Sequence, residues 1–314
     1  MILNVSGRTD IVAFYSQWFI NRLESGFVDV RNPFNNRLVS RINFNDVDAI
    51  MFCTKNPKPI LSYLPKIKKP IIFHVTLTPY QKDIEPNVPN ILDVIESIKK
   101  LSKIIGIDNL YVRYDPIFIS EKYNLNYHLR AFNKICLLLN GHVNKIIVSF
   151  LDVYKNVIKN EKILKFKSFT AEDYKIIGTE FSKIAVKNNM TVQTCFEKES
   201  LTEYGFIKGE CFSKEMAYKL TGKKYLEWKA RKGGLCHCVE MVDIGAYNTC
   251  NHGCKYCYAN FDEKEVKNNM KKHNQSSSLL IGELENDDEI KIMKAKSTLI
   301  NEKKFEQISL LEKI

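Results

Sequence analysis

The first two hundred residues alternate between two patterns of hydrophobic positions. Short runs rich in β-branched residues predict six strands, over residues 2–5, 49–53, 71–77, 110–114, 145–150 and 190–194. Longer segments between them carry apolar residues at i, i+3 and i+4, and they predict helices over 11–25, 91–105, 126–139 and 171–187. Asp10, Asn90 and Thr170 are suitable N-caps, and Gly26 and Gly106 suit the helix ends.

Strands that alternate with helices indicate βα units and therefore a parallel sheet. About six units in a row favour an α/β fold with a full or partial (β/α) barrel, because right-handed crossovers place the helices on one side. A flat doubly wound sheet is the alternative, but no Gly-x-Gly-x-x-Gly turn follows the first strand. Residues 28–46 interrupt the alternation, and their pattern predicts a β-hairpin insertion.

The rhythm stops after residue 194, so we expect three regions. Residues 1–195 form the barrel, and residues 196–261 form a cysteine-rich Fe–S segment that closes the barrel mouth and contains one short helix at 214–221. Residues 262–314 form an extension, for which the pattern predicts a terminal hairpin of residues 279–282 and 290–293 and an amphipathic helix over 298–312.

Composition changes this picture little. The 314 residues are 45% hydrophobic and 26% charged, which excludes wholesale disorder. No apolar run is long enough to span a membrane and no export signal is evident at the start, so we expect a cytoplasmic protein without membrane contact. The net charge of +11 comes largely from scattered lysines, which favours a solvated basic surface and leaves a nucleic-acid partner open.

The cysteines are clustered. Seven of the nine lie between residues 195 and 257, namely Cys195, Cys211, Cys236, Cys238, Cys250, Cys254 and Cys257. An odd total in a chain without an export signal argues against a disulfide framework, and clustered thiols in a cytosolic protein predict metal binding. Cys53 and Cys136 are predicted not to be ligands.

Polar residues follow each predicted strand, where βα barrels gather their chemistry. Arg8 and Asp10 follow the first strand, and Arg113 lies inside an apolar strand two residues before Asp115, on the same face. An internal ion pair between Arg113 and Asp115 and a clamp for a substrate or cofactor anion are both open. His74, also inside a strand, is equally a core histidine or a catalytic one.

The spacing Cys250-x3-Cys254-x2-Cys257 provides three thiolates for one corner of a [4Fe–4S] cluster and leaves one iron open. With Tyr256 before the last cysteine, this motif resembles that of the radical S-adenosylmethionine (SAM) enzymes. The resemblance implies that the open iron binds SAM, with Tyr256 beside it, and that one electron from a flavodoxin- or ferredoxin-type donor yields a 5′-deoxyadenosyl radical. The alternative is a zinc knuckle completed by His252, His237 or another cysteine.

In most radical SAM enzymes this motif follows the first strand, whereas here it follows six βα units. A second resemblance covers most of the chain. The opening segment 6–10, the segments 52–57 and 111–116, and the run from Cys236 to Asn260 are similar to the domain of unknown function 1848 family. This similarity implies that the late motif is a family design.

The remaining cysteines of the cluster, Cys195, Cys211, Cys236 and Cys238, match the ligand number of one closed site. A second, closed [4Fe–4S] cluster is the favoured interpretation, with structural zinc or unligated thiols as alternatives. The sequence therefore predicts a radical SAM-type enzyme, with Arg8, Asp10, Arg113 and Asp115 shaping the substrate or cofactor site. The competing hypothesis is a non-enzymatic Zn- or Fe–S-binding protein whose basic barrel contacts nucleic acid.

Overall fold

The computed structural model describes residues 1–195, 197, 199–223 and 238–294. Eleven strands lie in this part of the chain: β1 Ile2–Val5, β2 Phe27–Asn32, β3 Asn35–Asn43, β4 Ala49–Thr54, β5 Ile71–Thr76, β6 Leu110–Ile117, β7 Lys145–Phe150, β8 Thr191–Thr194, β9 Ile207–Lys208, β10 Met241–Asp243 and β11 Glu289–Ile292. The α-helices of the same residues are α1 Ile11–Phe14, α2 Ser16–Ser25, α3 Ile91–Ile105, α4 Leu125–Leu139, α5 Lys155–Lys159, α6 Glu161–Leu164, α7 Ala171–Lys187, α8 Lys214–Thr221 and α9 Glu263–Lys272.

The long helices begin and end where their capping residues predict. The side chain of Asn90 accepts from the Leu92 N–H at the start of α3, and Thr170 and Asp173 form a reciprocal capping box on α7. The predicted first helix divides at Tyr15 into α1 and α2, and α2 ends at Gly26, whose φ of 83° is in the left-handed region.

Eight strands form one parallel sheet in the order β10-β1-β4-β5-β6-β7-β8-β9. The predicted α/β class is thus confirmed. The predicted full or partial barrel is not a closed one: within the described part of the chain the edge strands β9 and β10 do not pair with each other, and the sheet stays open. Both edge strands come from the cysteine-rich region and are too short for a periodic pattern to reveal them.

Alternate residues of the sheet face opposite sides. One side packs on the helices in a large apolar core that includes Phe52, Phe73 and Val148. The other, which we call the inner face, carries a second cluster that includes Met51, Tyr111 and Ile147 and is covered by Phe212 and α8. The N–H of Val239, before β10, donates to the carbonyl of Phe212, after β9, at 3.0 Å. The segments that flank the two edge strands therefore meet across the inner face, although the strands themselves do not pair.

The insertion after α2 is a hairpin, as predicted, with β2 antiparallel to β3. The predicted terminal hairpin of residues 279–282 and 290–293 is wrong. Instead, β11 pairs in parallel with β3, and Leu279 forms an isolated bridge with Asp29. The partner strands of this region lie in the early hairpin, so local alternation alone could not identify them.

Helix α9 was not expected from the sequence. The helix predicted over 298–312 lies outside the described residues. Among the residues described, no helix has the length and apolar character needed to cross a membrane.

Candidate metal centres

Three of the four cysteines predicted to form a second, closed site come together on the inner face. Cys195 directly follows β8, Cys211 follows β9 and Cys238 precedes β10. Their sulfur atoms all lie within 4.8 Å of one another, with Cys211 Sγ 3.1 Å from Cys238 Sγ. We call these residues the inner trio. The fourth predicted member, Cys236, lies outside the described residues.

The thiols of the inner trio shift one another's pKa values. Hydrogen bonds with Cys195 and Cys238 lower the pKa of Cys211 well below its ordinary value, whereas hydrogen bonds with Cys195 and Cys211 raise the pKa of Cys238. The Cys211 N–H also donates to Cys238 Sγ at 3.2 Å. The surroundings of Cys211 therefore favour the thiolate, which is the form in which cysteine binds a cation.

Arg113 and Asp115 lie on the inner face and form the predicted ion pair. Arg113 Nε and Nη2 both donate to Asp115 Oδ2, at 2.9 and 2.7 Å, and the Ser149 hydroxyl donates to Oδ1. Burial opposes the charge of Arg113, but Asp115 and then Cys211 and Cys195 outweigh it, so its pKa is raised well above the ordinary value. The guanidinium therefore acts on the carboxylate and on the thiols together.

His74 is 1% exposed and sits opposite Cys53 in the neighbouring strand. Neither of its ring nitrogens has a hydrogen-bond partner among the described residues. Burial lowers its pKa to about 4, although the nearby Cys211 thiol acts in the opposite direction. His74 is therefore a neutral buried imidazole beside the inner trio, without the hydrogen bonds that a core histidine normally makes.

Cys250, Cys254 and Cys257 lie on one loop, residues 250–257, which we call the cysteine loop; its three thiols are the outer triad. This loop rests on segments that follow β1, β4 and β5. His252 Nε2 is 2.9 Å from Asp10 Oδ2, and the Tyr256 hydroxyl donates to Glu85. In the part of the chain that the structure describes, the three sulfurs of the outer triad do not all lie within 4.8 Å of one another.

A partly buried cation, Lys55, lies beside the outer triad. Lys55 Nζ donates to Glu85 Oε1 at 2.9 Å and to Thr78 Oγ1 at 3.1 Å, under the ring of Tyr256. Burial lowers the pKa of Lys55, but Glu85 and then the Cys254 thiol more than compensate, and the pKa is raised. A cavity of about 650 Å³, lined in part by Lys55, Thr78 and Glu85, opens next to this group.

Asp10 and Arg8 have different surroundings. Asp10 caps α1 through the Ala13 N–H, accepts from the Lys55 N–H and holds His252, so it supports the cysteine loop. Arg8 Nε donates to Asp243 Oδ1 at 3.0 Å and its Nη2 donates to the Asp243 carbonyl at 2.9 Å. Arg8 therefore joins the loop after β1 to edge strand β10.

Sequence reasoning missed Glu85 and Asp243. Asp243 accepts from Ser6 Oγ at 2.9 Å and from the Gly245 N–H at 2.8 Å, besides Arg8. A Cβ on Gly245 would lie 1.9 Å from Ser6 Oγ, so this contact requires glycine. Asp243 had a signal within the run Asp243-Ile244-Gly245, whereas Glu85 lies in an irregular loop with no pattern around it.

Comparison with known families adds one result. Residues 2–259 match the family model described as domain of unknown function (DUF1848). The chain belongs to this family. The matched region includes the inner trio and the outer triad, together with all eight strands of the parallel sheet. A search of curated proteins gives no significant match to the chain.

Proposed function

We propose that this DUF1848 protein is a radical SAM-type enzyme in which Cys250, Cys254 and Cys257 hold a [4Fe–4S] cluster. The observation that carries the proposal is the cysteine loop, which brings three thiols to the carboxyl ends of the parallel strands beside Lys55. In α/β folds this end of the strands is where reactive groups gather. A metal-binding protein without catalysis is the competing function.

The residues present fit such a cluster in number and chemistry. Three thiolates leave one of four irons without a protein ligand. Cys250 is 9% exposed, and Cys257 Sγ accepts weak contacts from the Ala259 N–H at 3.4 Å and the Asn260 amide at 3.5 Å. Hydrogen bonds to cluster sulfurs and limited solvent access are two means by which proteins set a cluster's potential. When bound, the cluster would supply one electron to SAM and start radical chemistry.

The protein's own groups would bind, orient and shield. Lys55 and Arg113, whose side chains are 12% and 17% exposed, are the cations that would provide a counter-charge for the carboxylate of SAM. Asp10 and Asp115 offer acceptors for an ammonium or hydroxyl group. Tyr256 is held by Glu85 with its ring against Lys55, and it would form one wall of the SAM site.

Water exclusion follows from the loop's attachments. The Tyr15 hydroxyl donates to the Thr249 carbonyl, just before the cysteine loop, at 2.5 Å, and Asn160 donates to the Lys255 carbonyl within the loop at 2.6 Å. These bonds hold the loop over the strand ends. A reactive radical would require this shielding, and an external one-electron donor of the flavodoxin or ferredoxin type would reduce the site.

The experiment is anaerobic purification, iron and sulfide analysis, and a SAM-cleavage assay with dithionite. We expect an iron-containing brown protein that releases 5′-deoxyadenosine, and loss of both properties in Cys254→Ala. The matched control is Cys136→Ala, which removes a buried thiol from α4, away from the strand ends. A colourless wild-type protein without SAM cleavage, or an active Cys254→Ala variant, overturns the proposal.

A further inference from the structure

The inner trio has a geometry that distinguishes one ion from a cluster. A tetrahedral ion with metal–sulfur bonds of about 2.3 Å places its thiolates about 3.8 Å apart. A [4Fe–4S] cluster binds each cysteine to a different iron, which spreads the sulfurs further. All three sulfurs of the inner trio lie within 4.8 Å of one another, so their spacing fits a single ion.

A disulfide does not explain the same contact. Bonded sulfurs lie about 2.05 Å apart. The Sγ atoms of Cys211 and Cys238 are 3.1 Å apart, and Cys195, Cys211 and Cys238 are all free thiols. The Cys195 sulfur, which lies within 4.8 Å of both, also has no role in a two-cysteine bridge.

The positions of the three residues along the sheet show what an ion would join. Cys195 continues β8, Cys211 follows edge strand β9, and Cys238 precedes the opposite edge strand β10. In the described part of the chain these edges share no strand pairing, and the Val239–Phe212 backbone hydrogen bond is a link between their flanking segments. A metal bound to all three thiols would therefore close the open side of the sheet.

We propose that Cys195, Cys211 and Cys238 bind one divalent ion of the zinc class, which joins the two edges of the parallel sheet. The trio supplies three of the four ligands of a tetrahedral structural site, and the proposal does not depend on the radical chemistry proposed above. Its thiolates are screened from solvent by Phe212 and α8, and Arg113 offsets part of their negative charge. Zinc suits this role because it binds thiolates strongly and has no redox chemistry of its own.

The test uses the full chain with Cys250, Cys254 and Cys257 all changed to Ser, so that an outer cluster cannot contribute. Purified in air with zinc and iron both supplied, this variant is expected to retain about one zinc per chain. Adding Cys211→Ser or Cys238→Ser should remove most of that zinc. The matched control is Cys53→Ser, which removes a neighbouring thiol outside the trio.

A second measurement covers variants that fail to fold. Replacing the metal with Co²⁺ in the triple variant, in which Cys195, Cys211 and Cys238 are intact, should give the intense visible bands of a tetrahedral thiolate site. Sulfur-to-cobalt charge transfer should appear in the near ultraviolet. About four irons per chain in the triple variant, a Cys211–Cys238 disulfide in the mass spectrum, or absence of metal would each overturn the proposal. Loss of SAM cleavage alone would bear on the outer triad and leave this result standing.

Discussion

The inner trio and the outer triad are both groups of three cysteines, but they lie in opposite structural settings. The outer triad comes from eight consecutive residues, so one loop carries all three sulfurs. The inner trio is assembled from the flanks of three different strands, and its sulfurs meet because the sheet brings two edges together. A local set of ligands can be loaded or lost without disturbing the fold, whereas a set recruited from both edges becomes part of the fold.

The largest expected difference between the two cysteine groups is that between the variants Cys238→Ser and Cys257→Ser. We expect Cys238→Ser to lower the free energy of unfolding by about 5 kcal/mol or more, since bound structural zinc contributes directly to folding. Cys257→Ser should abolish SAM cleavage with a much smaller loss of stability. Urea unfolding followed by circular dichroism measures both, and equal losses from the two variants would remove the distinction.

Lys55→Met tests the support beneath the outer triad. The change leaves Glu85, which is 3% exposed, without its cation, and breaking a buried ion pair typically costs about 3 to 5 kcal/mol. SAM cleavage should also fall strongly, while zinc bound at the inner trio should stay near the wild-type amount. The double variant Lys55→Met with Glu85→Gln should recover part of the stability, measured by the same urea titration.

The effect of acid on stability also bears on the two cysteine groups, but the contribution of the buried histidine His128 must first be subtracted. His128 is buried between the Tyr114 hydroxyl and the Phe118 carbonyl, and burial lowers its pKa from 6.5 to about 4. The unfolded chain therefore takes up a proton that the native protein does not, between pH 6.5 and pH 4. Stability from this group is complete above pH 6.5 and falls by about 3 kcal/mol as the pH approaches 4.

In His128→Gln the free energy of unfolding should fall by about 3 kcal/mol less between pH 6.5 and pH 4 than it does in the wild type. This difference does not depend on the stability of the variant at neutral pH. Urea unfolding at several pH values measures it. The remaining slope then reports thiol protonation and the other groups, including His74. An unchanged slope would show that His128 does not titrate in this way.

The smallest effect is expected from Tyr258→Phe. Tyr258 lies just beyond the cysteine loop, and its hydroxyl donates to the Gly7 carbonyl, but the residue is 50% exposed. We expect less than about 1 kcal/mol of destabilisation and nearly normal iron incorporation. A large loss of iron would mean that this end of the loop positions the outer triad more tightly than its neighbours suggest.

Much of the fold was predictable because its elements carry local signals. α3 and α7 have the predicted bounds, since apolar periodicity and capping residues agree at both ends. The edge strands β9 and β10 have two and three residues, too few for alternation to register. Their existence depends on pairing with distant strands.

The candidate site divides in the same way. The spacing of the outer triad is visible in eight residues, and the Arg113–Asp115 pair follows from strand alternation. Glu85 and Asp243 could not be assigned roles from the sequence, because Tyr256 and Arg8, their partners, lie 171 and 235 positions away along the chain. Which cysteines would share a site, and how closely, likewise required three-dimensional distances.

The pairing of β1 with β10 has a consequence for biosynthesis. The side chains of Asn4 and Asp243 form a hydrogen bond across this pair, although the two residues are 239 positions apart. Strand β1 therefore leaves the ribosome long before β10 has been synthesised. The growing chain can order β4 to β8 with their helices first, whereas the edge that carries β10 must join last. The three cysteines of each group are therefore all present only after nearly all of the family domain has been synthesised.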